Sequence, residues 1–170
     1  MARYLIANGP MQTTAAFAVV ATGTAIKTLL QVKPGATQMA EVIEYGISFD
    51  GSVAATPGKI ELIETDVAAT VTASVANDFT KLDAAALSSG DPTTSLFSVG
   101  TTATGYTATA EGTITAVRNL AAPQLIAPTN QFIQQFPLGE RPVIQPAKFA
   151  RIRVTFGTTV NAYCYMILGV

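Results

Sequence analysis

Hydrophobic residues recur at every second position through most of this chain. In Ile43-Glu44-Tyr45-Gly46-Ile47-Ser48-Phe49-Asp50, Ile43, Tyr45, Ile47 and Phe49 share one face, while Glu44, Gly46, Ser48 and Asp50 share the other. That alternation predicts a half-buried strand closed by the Asp50-Gly51 turn. Residues 149–156 repeat it, with Ala150, Ile152, Val154 and Phe156 inward and Arg151, Arg153 and Thr155 outward. Residues 161–168 are apolar on both sides, so this strand is expected to be covered twice, by the core and by a partner or a cover. Further strands are predicted at 3–7, 13–20, 25–32, 59–64, 68–75, 106–117 and 131–136. Turn chemistry separates them at Asn8-Gly9-Pro10, Pro34-Gly35, Pro57-Gly58, Gly90-Asp91-Pro92 and Pro137-Leu138-Gly139. Residues 123–128 read as an extended crossing segment. One short helix is predicted over 79–87, capped by Asn77-Asp78 and stopped by Ser88-Ser89-Gly90. Short strands at this spacing give an all-β fold, a jelly-roll-like antiparallel β-sandwich with at most one short helix. The 170 residues form a single domain, with residues 1–10 available as an N-terminal arm.

Composition changes this picture in one respect, the surface. Charged residues make up 12% of the chain and hydrophobic ones 49%, against about 25% charged in an ordinary soluble domain. Ala and Thr together supply about 30% of it, so the surface is coated in small neutral groups or covered by other copies. The net charge of −1 gives no bias toward nucleic acid or an anionic membrane. Along the chain the charge is uneven. Residues 1–40 hold Arg3, Lys27 and Lys33 with no acid, 41–111 hold ten acids against Lys59 and Lys81, and 112–170 hold five basic residues against Glu140. Either the strands interleave and erase the asymmetry, or the molecule has an acidic and a basic pole. The uncharged stretch 4–26 is broken by Asn8-Gly9-Pro10 and fits neither a signal core nor a membrane span.

Catalytic chemistry finds little to work with. The chain has no histidine and one cysteine, Cys164, in an apolar run. Histidine-based triads, imidazole zinc sites, all-thiolate metal sites and intrachain disulfides are therefore excluded. Neither a phosphate-binding GxxxxGK[ST] loop nor a GxGxxG turn is present. Glu61 and Asp50 are the carboxylates to weigh for acid–base work, and both fall on solvent-facing or turn positions. Asp78, Asp83 and Asp91 could offer oxygens to calcium, without the EF-hand spacing. The expectation is a protein that is not an enzyme and holds no cofactor.

The candidate interface residues come from three places. Arg3, Tyr4 and Leu5 lie on the N-terminal arm. Phe136, Leu138 and Arg141 belong to a stiff loop, 137–142, that either bridges the two sheets or presents Leu138 and Arg141 to a partner. Arg151 and Arg153 point the same way on one strand, solvated or paired with acids of a neighbouring subunit, and Tyr163 and Tyr165 lie on the last strand.

Three stretches carry a resemblance: Tyr45-Gly46-Ile47-Ser48-Phe49-Asp50-Gly51, Pro137-Leu138-Gly139-Glu140-Arg141-Pro142-Val143 and Val160-Asn161-Ala162-Tyr163. They resemble small proteins encoded by tailed phages and prophages. In size and in its Ala/Thr-rich, His-poor character the chain also resembles head decoration, or cement, proteins, many of them trimers on the capsid exterior. The resemblance implies a structural virion protein, made in the host cytoplasm, that binds the major capsid protein as a homotrimer, with no nucleic-acid or membrane partner. The alternative is a tail, fibre or other trimeric β-sandwich module that recognises a surface glycan or protein.

Overall fold

The computed structural model describes residues 1–14, 16–51, 56–83 and 96–170. The strands are β1 (Arg3–Ala7), β2 (Val20–Ala21), β3 (Lys27–Val32), β4 (Ala40–Asp50), β5 (Gly58–Thr65), β6 (Thr70–Ala73), β7 (Thr80–Lys81), β8 (Gly105–Ala110), β9 (Val117–Asn119), β10 (Gln124–Ile126), β11 (Gln131–Gln135), β12 (Val143–Ile144), β13 (Phe149–Thr155) and β14 (Asn161–Gly169). They form two antiparallel sheets. The first runs β11-β4-β14-β1-β7, with β12 also on β4 and β2 also on β14. The second runs β10-β5-β13-β3-β8-β6, with β9 also on β5.

The pairing is nested. β1 pairs with β14, β3 with β13, β4 with β11 and β5 with β10. Successive pairs fall alternately in the first and second sheets, which is one long two-stranded ribbon rolled into a sandwich, the jelly-roll arrangement. Strands β6 and β8 belong to an insertion between β5 and β9 that widens the second sheet.

Period-two alternation drives the two sheets together. Tyr4, Ile6, Tyr45, Ile47, Cys164, Met166 and Leu168 from the first sheet meet Leu30, Val32, Ile60, Leu62, Ile152 and Val154 from the second in one buried cluster. Phe49 and Phe156 touch edge to face at 4.8 Å, and Phe97 stacks on Phe79 at 4.7 Å beside Tyr4.

The structure departs from the sequence reading in several places. Residues 3–7 are an inner strand between β14 and β7, so there is no free arm there. A bulge opposite Ile167 and Leu168 shifts the alternation of β4. Val42 and Ala40 therefore join the core cluster in place of Ile43, which is buried against Gly169. The strand expected at 13–20 shrinks to Val20–Ala21. The one expected at 106–117 breaks at Glu111, which turns toward Arg151, and at Gly112, whose φ is +72°. Pro123, which has no N–H to pair, precedes a real strand, β10. The helix expected over 79–87 is not formed in its first part: Ala76–Asp78 is a 3-10 turn and Thr80–Lys81 is strand, while residues 84–87 lie outside the described residues. Finally, the 137–142 loop joins β11 to β12 along the same edge of β4 and does not bridge the sheets.

Candidate interaction surface

The two outer faces of the sandwich differ. On the second sheet, Gln31, Arg151 and Ile63 stand side by side across β3, β13 and β5, and all three are fully buried. The insertion covers them. Gln31 Nε2 donates to the Ala103 carbonyl at 2.5 Å and Gln31 Oε1 accepts the Ala69 N–H at 2.8 Å. Arg151 donates to the carbonyls of Val67 and Glu111, and its Nη1 lies 3.3 Å from the Glu111 carboxylate. Glu111 in turn accepts the Thr28 N–H and hydroxyl, each at 2.6 Å. Of the side-chain donors of Gln31, Thr28 and Arg151, all but Arg151 Nε thus meet an acceptor, which is what makes a polar layer tolerable in a buried place. Burial pushes the Arg151 guanidinium below its ordinary value, and Glu111 opposes that shift.

Beside this layer, Arg153 Nε donates to Glu61 at 2.9 Å, and Lys59 lies 3.1 Å from the same carboxylate. Burial raises the Glu61 carboxyl, but these bonds outweigh it and hold the group below the usual range. Arg151 and Arg153 are therefore not a solvated face, nor are they offered to a neighbouring subunit: they are tied within the chain. Glu61 is likewise buried and paired, not solvent-facing. The same holds for the charge asymmetry. Arg118 pairs with Glu64, Arg141 with Glu41 and Arg3 with Asp83, so acids of the middle third meet bases from both flanks, as interleaved strands require.

Among the described residues, most of the outer face of the first sheet is uncovered. Its register sets Gln131, Ser48 and Tyr163 in one row, Ile133, Gly46, Tyr165 and Ala7 in the next, and Gln135, Glu44, Ile167 and Leu5 in a third. Pleating puts these side chains on the face opposite the core. Leu5, Tyr163, Tyr165 and Ile167 are each half-buried and Ile133 is 53% exposed. Gly46 makes room for an aromatic ring, since a Cβ there would lie 2.5 Å from the Tyr165 ring. Glu44 is the one charged residue in the three rows, and it accepts the Tyr165 hydroxyl at 2.6 Å. Burial and that bond push the Tyr165 phenol up to about 12. Phe17 leans on Tyr163 at 4.9 Å, so a residue shortly before β2 covers one end of this face, and no other described residue is seen to cover the rest.

Of the residues picked out from sequence, the structure brings Arg3, Leu5, Tyr163 and Tyr165 to this one face. It sends Tyr4 and Phe136 into the core, where Phe136 stacks on Tyr45 at 6.3 Å. Arg141 is tied to Glu41, and Leu138 stands alone in its loop at 82% exposure. Gly46, Ile133 and Ile167 were not picked out, although period two places all three opposite the core. Glu111 gave no local signal, since its partners are 40 and 83 positions away.

Chemistry remains sparse. Asp78 caps the 3-10 turn by accepting the Val75 N–H and also holds the Met11 N–H, both at 2.8 Å, while Asp83 holds Arg3; Asp91 lies outside the described residues. Among the described residues no group of three or more His, Cys, Asp or Glu is placed to hold a metal ion. Cys164 is fully buried, and burial raises its thiol far above the usual range. Comparison with protein-family models, with curated proteins and with solved structures finds no match to this chain.

Proposed function

We propose that this chain is a structural protein of a tailed-phage virion, a decoration subunit that binds the major capsid protein on the outside of the head. One observation carries the reading: of the two outer sheet faces, insertion residues cover one over Gln31 and Arg151, while the other, among the described residues, is left open, charge-poor and edged with tyrosine. Tyrosine offers a large, stiff contact area at low entropic cost, and the three rows hold a single charge, Glu44, which the Tyr165 hydroxyl already bonds, so little charge has to be desolvated. The N-terminal residues act here as β1, with Leu5 on the contact face, and not as a flexible arm. Weak faces on several linked copies reinforce one another on a lattice.

The test is binding of the purified chain to capsids of the encoding phage stripped of the subunit, read by co-sedimentation. Leu5→Glu and Tyr163→Glu place charge on the face without touching the core, and each is expected to weaken binding at least about tenfold. Folded variants that still saturate capsids overturn the reading. Glycan binding through Tyr163 with no capsid binding replaces it with the tail or fibre module.

A further inference from the structure

We infer that β11 is a self-pairing edge, through which two copies of this chain join their first sheets across a two-fold axis. The Phe49 N–H bonds the Asn130 carbonyl and the Phe136 N–H bonds the Ile43 carbonyl. In an antiparallel ladder this parity turns the even-numbered residues of β11 toward β4 and points the backbone N–H and C=O of Gln131, Ile133 and Gln135 away from it. No other strand among the described residues takes them, since β11 ends its sheet.

Proteins ordinarily blunt such edges, and the other edges of this one are blunted. β7 is two residues long and carries Lys81. β6 is bulged between Thr70 and Thr72. β9 and β10 are three residues each and are separated by Pro123. β11 has five residues, an unbroken register, no proline and no charge.

The surroundings match. Residues 119–139 hold no charged side chain. This stretch bears three exposed hydrophobics, Leu125 at 76%, Ile133 at 53% and Leu138 at 82%. Neutrality decides the occupant. Across a two-fold axis each group near the centre meets its own copy, so any charge there would be repelled. Antiparallel pairing centred on Ile133 sets it against the second Ile133 and sets Gln131 against Gln135. The Gln amides carry both donor and acceptor and so complement themselves. One partner satisfies the edge, so the assembly closes at two, in place of the trimer that the resemblance implies. A two-fold between antiparallel strands stands perpendicular to the sheet, so both tyrosine-edged faces look the same way. The pairing rests on the edge alone and stands or falls independently of capsid binding.

Light scattering over a dilution series tests it. The expected result is twice the 17.6 kDa chain mass, falling to the chain mass in Ile133→Pro. That variant removes an N–H that β4 does not use and so spares the ladder. Ile133→Lys, which sets like charges together, is expected to weaken the dimer at least about tenfold. Ile133→Cys reads the contact directly: Cys164 is buried, so mild oxidation is expected to give a covalent dimer through residue 133. A monomer or trimer at all concentrations, or a dimer that survives Ile133→Pro and Ile133→Lys and does not cross-link at 133, overturns the inference.

Discussion

Replacing Glu111 by Ala removes the single carboxylate that faces Arg151 and Thr28 together. Arg151 has no exposed side-chain surface and Glu111 is 25% exposed. The substitution strips the guanidinium of its bonded carboxylate, leaving only the more weakly acting Asp66, and leaves the buried Thr28 N–H and hydroxyl without their 2.6 Å acceptors. Breaking a buried ion pair from one side costs about 3–5 kcal/mol. Two features lower that here: a quarter of Glu111 is already hydrated, and Arg151 keeps the carbonyls of Val67 and Glu111. The expected loss is therefore about 2–4 kcal/mol, a large share of the roughly 5–15 kcal/mol by which such a domain is stable. In a chain of this size that lowers Tm by roughly 5–15 °C. Urea unfolding measures the energy, and amide exchange at Ala69, whose acceptor Gln31 is untouched by the substitution, shows whether the insertion has lifted. Arg151→Met in the same chain removes the stranded charge, so the double variant is expected to be more stable than the sum of the two losses by about 1–3 kcal/mol. A Glu111→Ala protein within about 0.5 kcal/mol of the parent, with Ala69 still protected, refutes the claim that this layer seals the second sheet.

Three further outcomes follow from the same geometry. Gly105→Ala drives a Cβ into the Thr72 carbonyl of β6 and is expected to cost about 1–3 kcal/mol in urea unfolding, whereas Gly46→Ala meets only the movable end of Tyr165 and costs less; equal losses contradict the placement of the two glycines. Asp66 accepts the Thr115 hydroxyl and the Thr115 and Ala116 N–H groups, bonds that hold its carboxyl at about 2 against an ordinary 3.8. A group lowered in the folded state contributes stability above its unfolded value and loses it as pH falls toward the folded one. The urea midpoint is thus expected to drop between about pH 4 and pH 2, less steeply in Asp66→Asn. Cys164 is expected to ignore a thiol reagent in the native protein and to react once per chain in denaturant; reaction at the native rate of a free thiol contradicts its burial.

The alternation of hydrophobic and polar residues made the sandwich legible because each strand is one face of a core. Strands at 3–7 and 131–135 follow from it almost residue for residue. What it could not show was which outward faces stay outward. Arg151 and Arg153 occupy outward positions on β13 as expected, yet Val67 and Glu111 of the insertion lie over Arg151, and the acids that pair with both come from elsewhere in the chain. Long-range cover of that kind leaves no periodic mark. The bulge in β4 is similar: one extra residue moves Ile43 out of the inter-sheet cluster to a buried place beside Gly169, and nothing local distinguishes it from Tyr45. The apolar outer side of β14 did signal a surface that needs covering. Leu5 joined it by register alone, once β1 paired with β14.

Cryo-electron microscopy of capsids decorated with the purified chain tests the central claim most directly. The subunit is expected to sit with Leu5, Tyr163, Tyr165 and Ile167 against the major capsid protein and the insertion over β13 facing solvent. A bare capsid at saturating protein, or a subunit bound through the insertion with those four residues exposed, contradicts it.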